Sequence, residues 1–521
     1  MGAPLKSTNR KAIDERTTLS GVREAYFRGD FEKCIALCDA LRPRDDTDLI
    51  ETVLLRARSL LPLNRPDQAL EALRGLRLDE RQRDEHLTLQ MLTGTALVAL
   101  GKTDRGLEVL LRAHRAADDA HPTVRAEISV FLGYAYYRNK QYLDAQRLLD
   151  SVPKDADIVY ARALEYGGWV AWARGDRETA IDRFRAALIC IDGCRRYDRF
   201  VEAKALYGIA YLCGELPRLH LWPEIASRAT RFDWSANGVN MWRFWLAAEA
   251  SVITEMLGEM DESTQWASLA ESIAPSPIYE IMALCRLAAR FGRYRETGAN
   301  AYFIGRARGT YDSLAREGRL DGEPSLPLAL AEELVQGDRP EDAAPLLTYY
   351  SESVAPRAGA HADDQRLAAW RMLIEGQLDA RRGNRARAER NYLAAFTCWK
   401  QMGLLRRAAI VAYHLAVLTD NDDYRTFIDE SLREASDNFW VKARIAQSRM
   451  EMRLSERHIA VLRLVAEGKT NKEIAAKRGL SFFTARNMVR ELLALFGVRT
   501  RGELAALAAA RGIIPQKERS R

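Results

Sequence analysis

The 521-residue sequence lacks the features of a membrane-spanning or exported protein. No apolar run approaches the ~20 residues that a membrane-spanning helix needs. Residues 1–16 are polar and contain no hydrophobic segment of the kind that directs secretion. The seven cysteines are an odd number scattered along the chain, which is typical of a reducing cytosol. We therefore expect a cytoplasmic protein.

Signatures of common catalytic sites are also missing. Gly101-Lys102-Thr103 resembles the end of a phosphate-binding loop, but Ala96 stands where that loop requires glycine. The seven histidines form no pair with metal-ligand spacing, and no G-x-S-x-G nucleophile motif occurs. The sequence thus predicts no catalytic residue, no cofactor and no metal, and it does not favour an enzyme.

Positive charge is concentrated at one end of the chain. Residues 452–521 hold 15 Lys and Arg against 6 Asp and Glu, a net charge of +9. The other 451 residues hold 63 basic and 66 acidic side chains, a net charge of −3. A compact basic segment beside a nearly neutral body is typical of a module that binds a polyanion.

Upstream of that segment, small residues recur at a spacing of twelve. Four pairs share this spacing: Gly94/Gly106, Gly133/Ala145, Gly168/Ala180 and Gly376/Ala388. The bulky residues that follow four positions later are Leu110, Leu149, Phe184 and Tyr392. Small residues let two antiparallel helices approach closely, and we expect the bulky residue to fill the gap against the next hairpin. Turn signals such as Gly175-Asp176 separate the two helices.

This pattern resembles the tetratricopeptide repeat. The resemblance implies an all-α solenoid over residues 19–450, with about ten helix pairs in a right-handed superhelix. Residues 216–240, 274–277, 317–327 and 355–364 are expected to be loops or repeat boundaries. Five tryptophans in the centre either line a groove for a ligand or peptide or pack between hairpins: Trp222, Trp234, Trp242, Trp245 and Trp266.

Residues 451–514 are predicted to form four short helices that contain a helix-turn-helix, with 1–18 a flexible N-terminus and 515–521 a basic tail. A small residue at Ala475 permits a close helix crossing, and Gly479 permits the left-handed backbone of the turn. The first helix is predicted to begin after Ser455 as its N-cap and to end at Gly468, and the second helix to span 470–478. The third helix is predicted to begin after Ser481 as its N-cap and to end at Phe496. A capping box of Thr500 and Glu503 is predicted to begin the fourth helix.

The segment resembles the LuxR/FixJ-type helix-turn-helix family. The matching residues are Leu454-Ser455, Arg457, Val461-Leu462, Gly468, Asn471 to Ala475, Gly479 to Ser481, Thr484 and Gly497 to Arg499. Together with the repeats, the arrangement is similar to large bacterial regulators of the MalT-like kind without their nucleotide-binding domain. The resemblance implies a homodimeric, sequence-specific transcription regulator that associates with the nucleoid when bound to DNA.

The family resemblance also implies roles for individual residues. It implies that Arg486, Asn487 and Arg490 contact bases in the major groove, because arginine suits guanine and asparagine suits adenine. It also implies that residues near helix N-termini contact phosphates, namely Lys469, Asn471, Lys472, Ser481 and Thr484. The fourth helix supplies either a dimer interface or the domain's own core through Leu504, Leu507 and Ala508.

Four departures from the family pattern bear on these roles. His458 replaces a usual Glu, Arg478 stands where a core Leu is usual, and Met488 replaces a common His. Phe482-Phe483 replace polar residues at the start of the third helix. These aromatics either touch sugar or thymine methyl groups or pack against the repeat array.

The sequence favours a DNA-binding transcription activator. Its array would bind a protein, peptide or small-molecule effector and control dimerisation or DNA binding, and RNA polymerase would be a partner of an activator. The alternative is a helical-repeat scaffold whose terminal module binds a protein rather than DNA.

We predict that DNA affinity of the full chain falls steeply with salt, because the basic segment displaces counterions from phosphates. The logarithm of the binding constant should fall linearly with the logarithm of salt concentration, by about 0.9 per phosphate neutralised. Fluorescence anisotropy with duplex DNA from 50 to 300 mM salt, about the range in which exposed charges become screened, measures the slope. A slope near zero would contradict the DNA-binding prediction.

Overall fold

The computed structural model describes residues 18–510 except 196, 235–238, 295, 321–324, 338, 355–361 and 454–455. All the regular structure in those residues is helical, which confirms the predicted all-α class. None of these helices is long and apolar enough to cross a membrane. The predicted basic tail and, apart from Thr18, the predicted flexible N-terminus lie outside the described residues.

The first twenty α-helices form ten successive pairs. They are α1 (Leu19–Phe27) and α2 (Phe31–Ala40), α3 (Asp46–Leu60) and α4 (Pro66–Arg74), α5 (Arg83–Ala99) and α6 (Thr103–Arg115), α7 (Pro122–Arg138) and α8 (Tyr142–Asp150), α9 (Ile158–Ala173) and α10 (Arg177–Gly193), α11 (Arg199–Glu215) and α12 (Trp222–Arg231), α13 (Asn240–Leu257) and α14 (Met260–Ser272), α15 (Pro277–Arg293) and α16 (Thr297–Arg316), α17 (Leu326–Gln336) and α18 (Ala343–Tyr349), α19 (Ala362–Arg381) and α20 (Arg385–Gln401). The remaining helices are α21 (Leu405–Thr419), α22 (Asp422–Ser431), α23 (Trp440–Arg453), α24 (Glu456–Ala466), α25 (Asn471–Arg478), α26 (Phe482–Phe496) and α27 (Arg501–Ala510). Short 3-10 segments lie at Lys154–Ala156, Leu219–Leu221 and Pro340–Asp342, and a π-helical turn at Tyr350–Val354.

Within the array, the first helix of a pair packs against several neighbouring helices. It contacts its own partner, as α5 contacts α6, and also the first helix of the next pair, as in the series α5, α7, α9, α11 and α13. This arrangement buries a continuous core between adjacent pairs. The array is therefore a tetratricopeptide-like α-solenoid, as the spacing of small residues predicted.

The small residues mark the points where paired helices approach most closely. A methyl group built on Gly94 would lie 2.7 Å from Cγ of Leu110, and one on Gly168 would lie 2.6 Å from the Phe184 ring. The predicted bulky residues thus pack mainly within their own pair, because the glycine leaves the room there. Phe184 also packs against the next pair, since its ring lies 2.7 Å from a methyl group built on Gly208.

The turns between paired helices lie at the predicted turn signals and have a left-handed backbone. Gly175 has a φ of 86°, a conformation that glycine adopts without a steric penalty. Lys140 occupies the equivalent position with a φ of 61°, which is uncommon for a residue with a side chain.

One predicted loop is wrong. Residues 216–240 contain α12, the second helix of the sixth pair. Pro223 lies in the first turn of this helix, where the missing N–H has no intrahelical partner to lose.

The chain divides into two compact units, Met1–Ala408 and Ala409–Arg521. The second unit contains the terminal helices α24 to α27 together with α22, α23 and most of α21. The domain boundaries expected from the sequence at residues 18, 450 and 514 stay predictions.

Within the first unit, a buried ion pair joins residues far apart in sequence. Glu215 at the end of α11 is fully buried, and its Oε1 accepts hydrogen bonds from Arg406 and Arg407. Burial alone would raise the pKa of Glu215, but the two guanidinium groups lower it below its ordinary value. Such a pair must stay complete, because a single buried charge without its partner is strongly destabilising.

We predict opposite effects of two matched Gly→Ala substitutions in helix interiors. Gly168→Ala should lower the free energy of unfolding by about 1–3 kcal/mol, because the new methyl group overlaps Phe184. Gly305→Ala, where no atom lies within 4 Å of the new methyl group, should raise it by about 0.5–1 kcal/mol. Urea and thermal unfolding of the full chain measure both; a Gly168→Ala variant as stable as the wild type would contradict the packing argument.

Candidate nucleic-acid interface

The four terminal helices enclose a small apolar core. Helix α24 packs against α26 and α27, and α25 packs against α26. The core residues come from one face of each helix: Val461, Leu462, Leu464, Val465, Ile474, Ala475, Ala485, Val489, Leu492, Phe496, Leu504 and Ala508. Ser455, the predicted first N-cap, lies outside the described residues.

Local hydrogen bonds define the helix-turn-helix formed by α25 and α26. Thr470 and Glu473 form a reciprocal capping box at the start of α25. The hydrogen bond from the Thr470 backbone lowers the pKa of Glu473. Gly479 ends α25 with a φ of 62°, and Ser481 then caps α26 by accepting from the Thr484 N–H at 3.0 Å. The sequence predicted the Gly479 turn and the Ser481 cap, whereas the Thr470/Glu473 capping box is found only in the structure.

The two faces of α26 differ completely. The buried face carries residues at alternating spacings of four and three, from Ala485 to Phe496. Arg486, Asn487 and Arg490 lie on the other face and are exposed. Among the described residues, none of the three side chains forms a hydrogen bond or an ion pair. The face thus presents two unpaired guanidinium groups and one free amide.

The residues predicted to contact phosphates lie at the N-terminal ends of α25 and α26. Lys472 is exposed there, and the hydroxyl groups of Ser481 and Thr484 lie 2.8 Å apart. Helix N-termini favour anions because their backbone N–H groups point outwards without partners. The geometry groups these side chains at two neighbouring helix starts.

Sequence reasoning missed Arg501, which organises the start of α25. Its Nη1 donates to Oδ1 of Asn471 at 2.6 Å, and its Nη2 donates to the carbonyl oxygen of Lys469. Arg501 therefore fixes the two predicted phosphate residues relative to α27. No local pattern announces this contact, because its partners lie 30 and 32 residues away.

The departures from the family pattern have simple structural explanations. Nε2 of His458 lies 3.4 Å from Oε2 of Glu491 and so links α24 to α26. Arg478 is exposed, so it places no charge in the core, and Met488 packs against the core from a half-buried position. Phe482 and Phe483 are 47% and 70% exposed, with their rings in edge-to-face contact.

The residues of α27 that the sequence assigned either to a dimer interface or to the core lie in the core. Leu504 and Ala508 have no exposed surface, and Leu507 packs against the same cluster from a half-buried position. Leu504 and Ala508 therefore offer no surface to a second copy of the chain. Dimerisation itself stays a prediction.

Comparison with known proteins agrees with this geometry. Residues 452–508 match the family described as bacterial regulatory proteins, luxR family. These residues form a LuxR-type domain. The LuxR-type domain is a DNA-binding domain of transcription regulators, and the family is not one of enzymes. The match covers only the end of the chain and says nothing about the array.

Two solved structures resemble the chain at a distance. No curated protein sequence matches it. A monomeric mutant of IFIT1 with Gppp-AAAA is 11% identical, with a TM-score of 0.42, over 80% of this chain and 97% of that chain. The APC/C hetero-tetramer Cut9-Hcn1 is 11% identical, with a TM-score of 0.25, over 94% and 95%. Because these scores are low, the solenoid is assigned from its helix-pair contacts.

We predict that Thr470→Ala loosens the start of α25, because it removes the N-cap and half of the capping box. The substitution should lower local stability by about 1 kcal/mol. Amide hydrogens at the helix start should therefore exchange about fivefold faster. Hydrogen–deuterium exchange of the full chain measures it. Thr470→Ser keeps the hydroxyl and should exchange like the wild type; equal rates in Thr470→Ala would contradict the capping role.

Proposed function

We propose that this protein is a sequence-specific DNA-binding transcription regulator. The observation that carries the proposal is the outer face of α26, where Arg486, Asn487 and Arg490 are exposed and unpaired among the described residues. Unpaired guanidinium groups on a helix of a LuxR-type domain suit the electronegative major groove.

The chemistry assigns different tasks to the two groups of residues. Arginine pairs bidentately with guanine and asparagine with adenine, each good pair contributing about 1–3 kcal/mol of discrimination. We propose that Arg486, Asn487 and Arg490 read bases in this way. Lys469, Asn471, Lys472, Ser481 and Thr484 would contact phosphates and fix the docking register, with Arg501 as a positioning residue for Asn471.

We also propose that the array regulates the LuxR-type domain. A bound protein, peptide or small-molecule effector would control its dimerisation or DNA binding, and a homodimer would match two half-sites. As an activator, the protein would recruit RNA polymerase. The resemblance to bacterial LuxR-type regulators supports this part of the proposal.

The exposed pair Phe482 and Phe483 favours a second candidate function. Two exposed aromatic side chains beside a charged face are also typical of a protein-binding surface. In this alternative, the terminal module of a repeat scaffold binds a protein partner. In the first, the same rings contact thymine methyl groups in the major groove.

We predict that Arg486→Ala combined with Arg490→Ala abolishes sequence-specific binding at ~150 mM salt. Loss of two bidentate contacts should weaken affinity by about 100-fold or more. A genome-wide DNA pull-down with the full wild-type chain supplies the target fragment, and fluorescence anisotropy on that fragment compares the variants. Both side chains are exposed and contribute nothing to the core, so folding should not change.

The matched control is Arg74→Ala combined with Arg77→Ala, two exposed arginines of the array. It removes the same charge and should leave specific affinity within about twofold. Unchanged binding in the Arg486/Arg490 variant would refute the recognition-helix assignment. Failure of the wild-type chain to enrich any fragment over that variant would refute the regulator proposal and favour the scaffold.

A further inference from the structure

A cavity of about 620 Å³ lies inside the first unit, among the first helices of successive pairs. Its lining includes Tyr26 from α1, Tyr134 from α7, Tyr166 from α9, Lys204 from α11 and Trp242 from α13. Of the five tryptophans that the sequence placed in a groove or in the core, only Trp242 lines this cavity. The volume falls in the range of about 300–1,000 Å³ that is usual for small-ligand sites.

Helices of the first and the sixth pair contact each other at the boundary of the cavity. The ring of Phe31, at the start of α2, lies 4.9 Å from the ring of Phe200 in α11, centroid to centroid. Arg199 packs against Gly29, in the turn before α2. These contacts join the first pair of the array to the sixth. The space between them suits a small molecule better than an extended peptide along an open groove.

Two ion pairs that involve cavity-lining arginines are complete. Arg58 pairs with Glu127 at 2.8 Å, and Arg162 pairs with Asp198 at 2.6 Å. Their charges cancel within hydrogen-bond distance. A charged ligand would find no open counter-ion in either pair.

A third pair in the wall is incomplete. Oε2 of Glu165 lies 3.9 Å from Nζ of Lys204, too far for a hydrogen bond. Glu165 is 1% exposed; its Oε1 accepts from Nε1 of Trp169 at 2.9 Å, while Oε2 has no hydrogen-bond partner in the described residues. The Lys204 ammonium lies over the rings of Tyr166 and Trp242 and likewise makes no hydrogen bond within that part of the chain.

The incomplete pair therefore holds one unsatisfied acceptor and one unsatisfied donor side by side. Leaving a buried polar group without a hydrogen bond is costly, so a ligand that satisfies both groups gains affinity. Burial raises the pKa of Glu165. Burial would lower the pKa of Lys204, but the attraction of Glu165 raises it, so Lys204 stays a cationic donor.

The other walls are flat aromatic surfaces. Tyr134 and Tyr166 are stacked with ring centroids 5.1 Å apart, and Tyr207 lies 5.8 Å from both Trp169 and Trp242. Aromatic faces favour stacking with another ring. At the edge of the cavity, Nη1 of Arg138 donates to the hydroxyl group of Tyr134 at 2.9 Å.

We propose that this cavity binds a neutral, planar aromatic compound that carries a hydrogen-bond donor and acceptor side by side, such as an aromatic carboxamide. The N–H of the ligand donates to Oε2 of Glu165, its carbonyl oxygen accepts from Lys204, and its ring packs against Tyr166 and Trp242. The inference deepens the proposed function by giving the class of effector, and the role as effector rests on that function.

The test compares three probes with one ring: 2-naphthamide, 2-naphthoate and 2-naphthylmethylamine. Equilibrium dialysis against the full wild-type chain, without DNA, gives each Kd. The amide should bind at least about tenfold more tightly than either charged probe, because only the amide satisfies both groups without adding a buried charge. Tighter binding of the carboxylate or the amine, or no binding of the amide at millimolar concentration, overturns the proposal.

Variants locate the binding. In Glu165→Gln the remaining oxygen accepts from Trp169 and an NH2 donor takes the place of Oε2, so the N–H of the ligand loses its acceptor and amide binding should weaken by about tenfold. Trp242→Leu, at a half-buried position, tests the ring contact independently if the first variant folds poorly. Glu249→Gln is the matched control, a buried glutamate on α13 that pairs with Arg286 at 3.1 Å and does not line the cavity. The control should bind like the wild type. Unchanged binding in both cavity variants overturns the proposal.

Ligand binding is measured without DNA, so the ligand proposal and the regulator proposal can fail separately. Amide binding with no enrichment of DNA would keep the cavity assignment and reject the regulator. DNA enrichment that depends on Arg486 and Arg490, with no amide binding, would keep the regulator and reject this ligand class.

Discussion

The close approach of paired helices at their small residues is the constraint on which the array depends. At Gly94 and Gly168, any added methyl group would collide with the bulky residue of the partner helix. The missing side chain at each glycine leaves the space in which Leu110 and Phe184 are completely buried. This packing also fixes how each pair stacks on the next. Because the first helices of most successive pairs contact one another, these local gaps also determine which side chains share the inner face.

That inner face combines features that single helices do not show. Its aromatic rings come from helices in different pairs, and its charges meet across pair boundaries, as Arg162 of α9 meets Asp198 just before α11. Complete buried pairs add little net stability, since desolvation offsets their attraction. They do restrict the ways in which neighbouring pairs can dock. The incomplete Glu165–Lys204 pair stands out against this background, because its neighbours in the wall are satisfied.

The LuxR-type domain separates its two tasks between the faces of one helix. The buried face of α26 holds the four-helix core together, and its exposed face carries the side chains free to meet another molecule. Arg501 connects the two tasks, because a residue of α27 holds the start of α25 through Asn471 and Lys469. The capping boxes at Thr470 and Thr500 fix the helix starts without using the outer face of α26.

The sequence by itself determined what depends on neighbours along the chain. The helix caps, the left-handed turns at Gly175 and Gly479, the pairing marked by Gly168 and Phe184, and the faces of α26 all follow from residues within about one helix pair. Only the tertiary structure decided the contacts of Arg501, the placement of Leu504 and Ala508 in the core, the ion pair of Glu215 with Arg406 and Arg407, and the cavity around Glu165 and Lys204. The physical reason is that these contacts join residues tens to hundreds of positions apart. Their meeting depends on the accumulated rotation from one helix to the next, which no local pattern of residues encodes.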